Sequence, residues 1–263
     1  MKYGFIGCGN MGSAIVAGLC HVTKDIMVSD RSGKARAFAQ TLSIEYGTNA
    51  QIASQCDRIF LAVKPQMMEG VLQGIQSILQ TRKPILISMA AGLTISRLQE
   101  MAGTSLPVIR IMPNTPVAVG KGLVLHCRNE LVSEDVMEDF LSDMRYCGIL
   151  DAAEEKLFDA AGTVSGCTPA YFYMLIEAMA DGAVACGVPR AKAMAYAAAA
   201  MSGAAEMVLQ TGKHPGQLKD EVCSPGGSTI AGLRALEERG FRSAAAEAIV
   251  AACKRNGELG KLN

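Results

Sequence analysis

Apolar and polar positions in the first half of the chain follow two periods. Short apolar runs fit strands at Tyr3–Ile6, Ile26–Ser29, Arg58–Val63, Pro84–Met89 and Val108–Met112, with Ile44–Tyr46 as a shorter third strand. Between them, small and apolar residues recur at helical spacing over Asn10–Cys20, Gly33–Thr41 and Met67–Leu79. In the last segment Met68, Val71, Leu72, Ile75 and Leu79 share one face. Thr94 is placed to cap a further helix to about Met101. Gly122–Cys127, a helix from Ser133 to Tyr146, and Gly148–Asp151 complete the pattern. Strands alternating with helices predict βαβ units and a mostly parallel sheet.

Past Ala153 the strand-like runs stop. Ala-, Met- and Leu-rich helical patterns follow at Glu154–Thr163, Pro169–Cys186, Arg190–Thr211, Thr229–Arg239 and Phe241–Leu259, with turns at Gly187–Pro189 and Gly212–Pro215. The reading is an α/β protein: residues 1–153 as a doubly wound sheet domain, residues 154–263 as an all-α domain. A helix that is apolar nearly all round must be buried. A thin bundle of this size has little to bury it in, so a second subunit is expected, as an intertwined homodimer.

Composition narrows the function classes. Lys+Arg and Asp+Glu both number 25, giving zero net charge and no sign of a nucleic-acid or anionic-membrane partner. The nine cysteines fall at no CxxC spacing and the three histidines are far apart, so neither a disulfide frame nor a metal site is expected. The first apolar run reaches no small-residue cleavage site, and the long Ala/Met stretch 193–210 is interrupted by Glu206. A cytoplasmic protein without a membrane span is the expectation.

The first chemistry is Gly7-Cys8-Gly9-Asn10-Met11-Gly12, a GxGxxG run that follows a strand and opens a helix. In that context it is a dinucleotide fingerprint of the Rossmann type. Gly7 permits the tight turn, Gly9 the approach of a pyrophosphate, and Gly12 close packing of helix on strand. The helix N-terminus offers free N–H groups to the phosphates. Asp30 ends the second strand, where an acid accepts from a ribose 2′-hydroxyl; Arg31 follows, with Ser32 and Lys34 near, and these suit a 2′-phosphate if Asp30 turns aside. NADH and NADPH both stay open. Ala62-Val63-Lys64-Pro65 and Ala90-Ala91-Gly92 end two further strands, where small residues let ribose and nicotinamide approach. Asn49 is either a ribose or phosphate ligand or a helix cap. Asn114, beside Thr115 between two prolines, either orients the nicotinamide end or only shapes a turn.

The second is Ser224-Pro225-Gly226-Gly227-Ser228-Thr229, a glycine-rich loop entering a helix. It is an anion site fit for a small carboxylate, or else a capped turn.

Taken in order, residues 4–12, Ala-Val-Lys-Pro (62–65), Ala-Ala-Gly-Leu-Thr (90–94), Met-Pro-Asn-Thr-Pro (112–116), His-Pro-Gly-Gln-Leu-Lys-Asp (214–220) and the 224–229 loop make the whole chain resemble pyrroline-5-carboxylate reductases. The resemblance implies reduction of 1-pyrroline-5-carboxylate to L-proline by NADPH or NADH, the last step of proline biosynthesis. It implies that the substrate carboxylate rests on Gly226, Gly227 and Ser228 with the Ser224 hydroxyl. It further implies that Thr229 hydrogen-bonds the ring nitrogen, with a catalytic role, and that Glu155 lines the pocket. Cys167 stands where the family usually has Ser and is given no role. Dimers are implied, in some members joined as five dimers. Two rivals remain: a β-hydroxyacid-type dehydrogenase, which needs a lysine proton donor on the helical domain, and a non-catalytic nucleotide sensor.

Overall fold

The computed structural model describes residues 1–260. Among these, residues 1–166 with residues 253–260 form one compact unit, and Cys167–Ala252 form a second.

The first unit is built on an eight-stranded sheet: β1 (Tyr3–Ile6), β2 (Ile26–Ser29), β3 (Glu45–Tyr46), β4 (Arg58–Leu61), β5 (Ile85–Ser88), β6 (Val108–Met112), β7 (Gly122–Arg128) and β8 (Gly148–Ala152). Their order is β3-β2-β1-β4-β5-β6-β7-β8. All pairs are parallel except β6 with β7, whose link is too short for a crossover helix and holds only the 3-10 turn Thr115–Val119. The interposed helices are α1 (Asn10–Leu19), α2 (Lys34–Leu42), α3 (Asn49–Gln55), α4 (Pro65–Gln73), α5 (Gln76–Arg82), α6 (Ile95–Ala102) and α7 (Glu134–Met144). They cover both faces, as a sheet of apolar parallel strands requires.

The two-residue pleat divides the core. Phe5 and Phe60 point to one face, where their rings stack with centroids 4.2 Å apart among Ile15, Val16, Leu19 and Phe140. Their neighbours Ile6 and Leu61 point to the other, onto Ile52, Met68 and Leu72. Arg58 is fully buried at the start of β4, where Nη1 donates to the Tyr3 hydroxyl at 2.6 Å and to Asp143 at 3.2 Å.

The single helix expected over Met67–Leu79 is two, α4 and α5. Gly74 closes the first, and Ile75 (φ −124°) turns the chain to bury its own side chain before the second. Met68, Leu72, Ile75 and Leu79 are all buried, so the apolar face was right and its continuity was not.

In the remaining chain, a 3-10 turn at Glu155–Leu157 leads into α8 (Phe158–Ala185), followed by α9 (Arg190–Thr211), α10 (Pro215–Val222), α11 (Ser228–Glu238) and α12 (Phe241–Gly260). The break expected between Thr163 and Pro169 does not occur, and α8 runs through Pro169. The turn expected at Gly212–Pro215 leads into α10, a helix the apolar pattern does not announce. It starts on Pro215, the position where proline's missing N–H costs nothing, with His214 Nδ1 accepting from the Gly216 N–H at 3.1 Å. Of the 22 residues of α9 only Ala193 is buried within one chain, and Tyr173, Met174, Tyr196 and Leu209 are each 60% exposed or more. No helix among the described residues is long and apolar enough to cross a membrane.

Candidate active site

The strand order reverses at β1. The chain steps from β1 out to β2 and β3, then returns to β4 on the other side. Crevices for ligands open at the carboxyl ends of strands flanking such a reversal. Here lies a cleft of about 930 Å³ walled by Gly7–Asn10 after β1, Ser29–Ser32 after β2, Tyr46–Asn49 after β3 and Ala62–Lys64 after β4.

The glycines act at this point as separate devices. Gly7 has φ +96°, and a Cβ there would lie 2.5 Å from the Ala62 carbonyl oxygen. A Cβ on Gly12 would lie 2.9 Å from the Gly7 oxygen, so Gly12 holds α1 against the turn. A Cβ on Gly9 would meet no atom within 4 Å: the space it would occupy is open cleft. No side chain caps α1, whose N-cap Gly9 and first residue Asn10 line that space. The Cys8 thiol is pushed up to about 11, first by burial and then by the charge of Asp30, and is therefore a neutral group in the wall.

Asp30 has turned aside. One carboxylate oxygen accepts from the Gly33 N–H at 3.0 Å, the other from the Ser32 hydroxyl at 2.5 Å and the Ala35 N–H at 3.3 Å. The carboxylate thus serves the start of α2, and Asp30 lines the cleft together with Arg31, Ser32, Lys34 and Arg36. Asn49 lines it too, and its Oδ1 takes the Ser29 hydroxyl at 2.7 Å; the cap of α3 is Thr48 instead, in a reciprocal pair with Gln51.

Of the expected cofactor residues, Gly7, Cys8, Gly9, Asn10, Asp30, Arg31, Asn49, Ala62, Val63 and Lys64 meet in this cleft. Met11 packs against the core, Gly12 is buried, and Pro65 is the first residue of α4. Ala90 and Ala91 lie beyond the end of β5, outside the cleft wall. Asn114 is spoken for at both ends: Nδ2 donates to the Ser165 carbonyl at 3.0 Å and Oδ1 accepts from the Leu123 N–H at 2.9 Å. Its turn-shaping role is the one the contacts express. Glu155 likewise has structural partners, the Ile95 N–H at 2.8 Å and Arg110 at 3.1 Å. Sequence reasoning passed over Arg36, whose guanidinium lies 5.0 Å from the Tyr46 ring centre in the cleft wall, and Arg110. The signal for Arg110 was a charge inside the apolar strand Val-Ile-Arg-Ile-Met.

In the second unit, the 224–229 loop connects α10 to α11. Gly226 has φ +69°, and a Cβ on Gly227 would lie 2.4 Å from Ser224 Oγ. The Gly227 N–H closes the turn onto the Ser224 carbonyl at 3.0 Å. No side chain caps α11, and Ser224, Gly226, Ser228 and Thr229 are exposed around its start. Both glycine loops therefore open helices whose leading donors no side chain claims. Among the described residues no group of three His, Cys, Asp or Glu side chains is placed to hold a metal ion.

Relatives match this arrangement along the full chain. The Escherichia coli (strain K12) pyrroline-5-carboxylate reductase is 42% identical over 266 residues, covering 99% of this chain and 98% of that one. The enzyme of Glycine max is 41% identical, covering 97% and 95%. This chain belongs to the pyrroline-5-carboxylate reductase family. The family's profile for pyrroline-5-carboxylate reductase dimerisation matches residues 155–259, and a profile described as NADP oxidoreductase, coenzyme F420-dependent, matches residues 2–92. A crystal structure of the Plasmodium falciparum pyrroline carboxylate reductase with NADP bound superposes with a TM-score of 0.88 at 34% identity, covering 99% of this chain and 98% of that one. Membership makes the chain an oxidoreductase with a Rossmann-type domain and a self-association domain. It removes the grounds for the β-hydroxyacid and sensor readings.

Proposed function

We propose that the chain reduces 1-pyrroline-5-carboxylate to L-proline, the last step of proline biosynthesis, with NADPH as the preferred donor. The observation that carries this reading is the pair of glycine-opened, uncapped helices α1 and α11 in a chain of this family. The donor set fits a dinucleotide. The first turn of α1 binds a pyrophosphate, with Gly9 supplying the approach and Cys8, Asn10 and Met11 its flanking backbone. Asn49 and Ala62–Pro65 run along the riboses, and Ala90 and Ala91 shape the nicotinamide end. The engagement of Asp30 with its own turn supports NADPH, because its carboxylate already accepts the Gly33 and Ala35 N–H groups while Arg31 and Lys34 line the same cleft and suit a 2′-phosphate.

When bound, the reduced nicotinamide supplies a hydride to the imine carbon. The chain's work is alignment and charge. The backbone of Gly226, Gly227 and Ser228 and the Ser224 hydroxyl hold the substrate carboxylate. The Thr229 hydroxyl hydrogen-bonds the ring nitrogen and helps keep it protonated, with solvent as the final proton source. Glu155, whose Oε1 is engaged by the Ile95 N–H and Arg110, supports this site from the side of α6.

Residues 1–153 serve as the nucleotide domain and residues 154–263 as the substrate and dimerisation domain. The exposed aromatic and methionine faces of α8 and α9 support an intertwined homodimer. Assembly of five such dimers is a further level to be read by mass. All nine cysteines are free thiols, which suits the cytoplasm.

The test is side-by-side oxidation of NADPH and NADH with 1-pyrroline-5-carboxylate, with proline as the scored product and light scattering for mass. Turnover with NADPH favoured by about tenfold or more is expected. No proline formed with either donor refutes the activity; a monomer refutes the assembly.

A further inference from the structure

Arg110 sits in the middle of β6, with Ser88 of β5 and Cys127 of β7 as its register partners. Its side chain is 3% exposed and its guanidinium lies 4.8 Å from the ring centre of Phe158. A charge so placed needs partners, and it has two. Nη1 pairs with Glu155 at 3.1 Å and Nη2 with Asp159 at 3.6 Å, while Nε has none. Glu155 opens the 3-10 turn that leads into α8 and Asp159 lies in the first turn of α8, and both carboxylates meet the one guanidinium. The planar fork of arginine reaches both at once.

Glu155 carries a second bond. The same oxygen that meets Arg110 accepts the Ile95 N–H at 2.8 Å, the first free donor of α6. Thr94 takes the Arg97 N–H at 3.2 Å. The start of α6 is therefore closed by a carboxylate that also complements its dipole. Between β5 and that closed start runs Met89–Thr94, tied at its other end where the Ala90 N–H meets Ser88 Oγ at 3.3 Å. Gly92, at φ +74°, turns the chain between the two ties.

We infer that Glu155 is a positioning residue: held by the buried Arg110, it pins the start of α6 and so fixes the Ala90–Thr94 loop that shapes the nicotinamide end. This rests on the functional reading above for the loop's role, but the pin itself does not. A looser loop leaves the nucleotide's phosphates gripped at α1 and spoils only the hydride geometry, where small misplacements are costly. The expected loss is thus in kcat, with the KM for 1-pyrroline-5-carboxylate nearly unchanged.

The experiment uses the full chain and two readouts: amide hydrogen exchange over residues 90–97 without nucleotide, and steady-state kinetics with NADPH. Glu155→Ala is expected to raise exchange there by about tenfold or more and to lower kcat by about tenfold. Glu155→Gln, which keeps an oxygen for the Ile95 N–H, is expected to stay within roughly threefold of the parent in both. If the alanine variant does not fold, Arg110→Lys replaces it, with raised exchange confined to 90–97 expected. Unchanged exchange in the folded Ala or Lys variant overturns the inference. So does a rise in substrate KM with exchange unchanged, which would return Glu155 to the substrate pocket. Absence of turnover in the parent sinks the functional reading alone, since the exchange readout still decides the pin.

Discussion

The side-chain amide of Asn114 donates to the backbone carbonyl of Ser165 at 3.0 Å, and Ser165 lies four residues before Pro169 inside α8. In a helix that carbonyl would accept the N–H of residue 169, which proline lacks. Asn114 supplies the missing donor from the β6–β7 link. Asn114→Ala is therefore expected to destabilise by about 1–3 kcal/mol, since it strands a buried acceptor. In a Pro169→Ala background, where an N–H is restored, the same substitution is expected to cost about 1 kcal/mol less. Denaturant titration of the four proteins closes the cycle. Additive losses would mean that the two residues are not coupled.

This pair also shows why α8 was misjudged. Pro169 after Ser-Gly-Cys-Thr reads as a helix boundary, because the compensating donor comes from a residue 51 positions away. Elements set by local period were legible: the glycine turn, the strands of the sheet and α9 could be drawn from spacing alone. The break at Gly74–Ile75 was not, because burying Ile75 against the sheet decides it. Site residues divide likewise. Gly7 and Gly9 announce themselves in sequence, but the direction in which the Asp30 carboxylate turns depends on the Gly33 and Ala35 amides. The resemblance implies a pocket role for Glu155, but its ion pair with Arg110 spans 45 residues and leaves no local trace in the sequence.

Gly7 and Gly9 are expected to fail differently. A methyl on Gly7 collides with the Ala62 carbonyl oxygen at 2.5 Å and suffers φ +96°, so Gly7→Ala should unfold at lower temperature whether or not NADPH is present. A methyl on Gly9 enters open space. Gly9→Ala should melt within a degree or two of the parent yet lose NADPH affinity by about tenfold or more, a cost near 1.4 kcal/mol. Equal NADPH affinity in Gly9→Ala would show that nothing approaches that backbone.

Arg31 and Lys34 should separate the two donors. Charge-assisted hydrogen bonds to a phosphate are worth about 1.5–3 kcal/mol each. Arg31→Ala combined with Lys34→Ala is expected to raise the KM for NADPH by more than about tenfold and to leave that for NADH nearly unchanged. Equal effects on both donors would place these residues away from the 2′-phosphate.

His126 on β7 is buried, and burial lowers its pKa against the opposing pull of Asp151. The neutral ring is thus favoured in the folded chain, and the unfolded chain binds more protons as pH falls below about 6.5. The stability that His126 contributes is complete above that pH and is lost as pH falls through the folded pKa. His126→Gln should flatten the decline in unfolding free energy between about pH 7 and pH 5. An unaltered slope would assign the acid loss to carboxylates.

Gly227 offers the sharpest separation of substrate from coenzyme. Its Cβ position lies 2.4 Å from Ser224 Oγ and 3.1 Å from the Ser224 carbonyl oxygen, so a methyl must push that hydroxyl away from the start of α11. The loop is exposed and its turn is set by Gly226 at φ +69°, which the substitution leaves alone. Gly227→Ala should therefore fold normally and bind NADPH as the parent does. Its KM for 1-pyrroline-5-carboxylate should rise by about tenfold or more, the worth of a hydrogen bond to a carboxylate. Ser224→Ala removes the same hydroxyl without moving the backbone. It should reproduce the part of the loss that belongs to the side chain, the remainder being the displaced amides. A Gly227→Ala enzyme with parental substrate KM would mean that this loop does not hold the carboxylate, and the assignment of Thr229 to the ring nitrogen would fall with it.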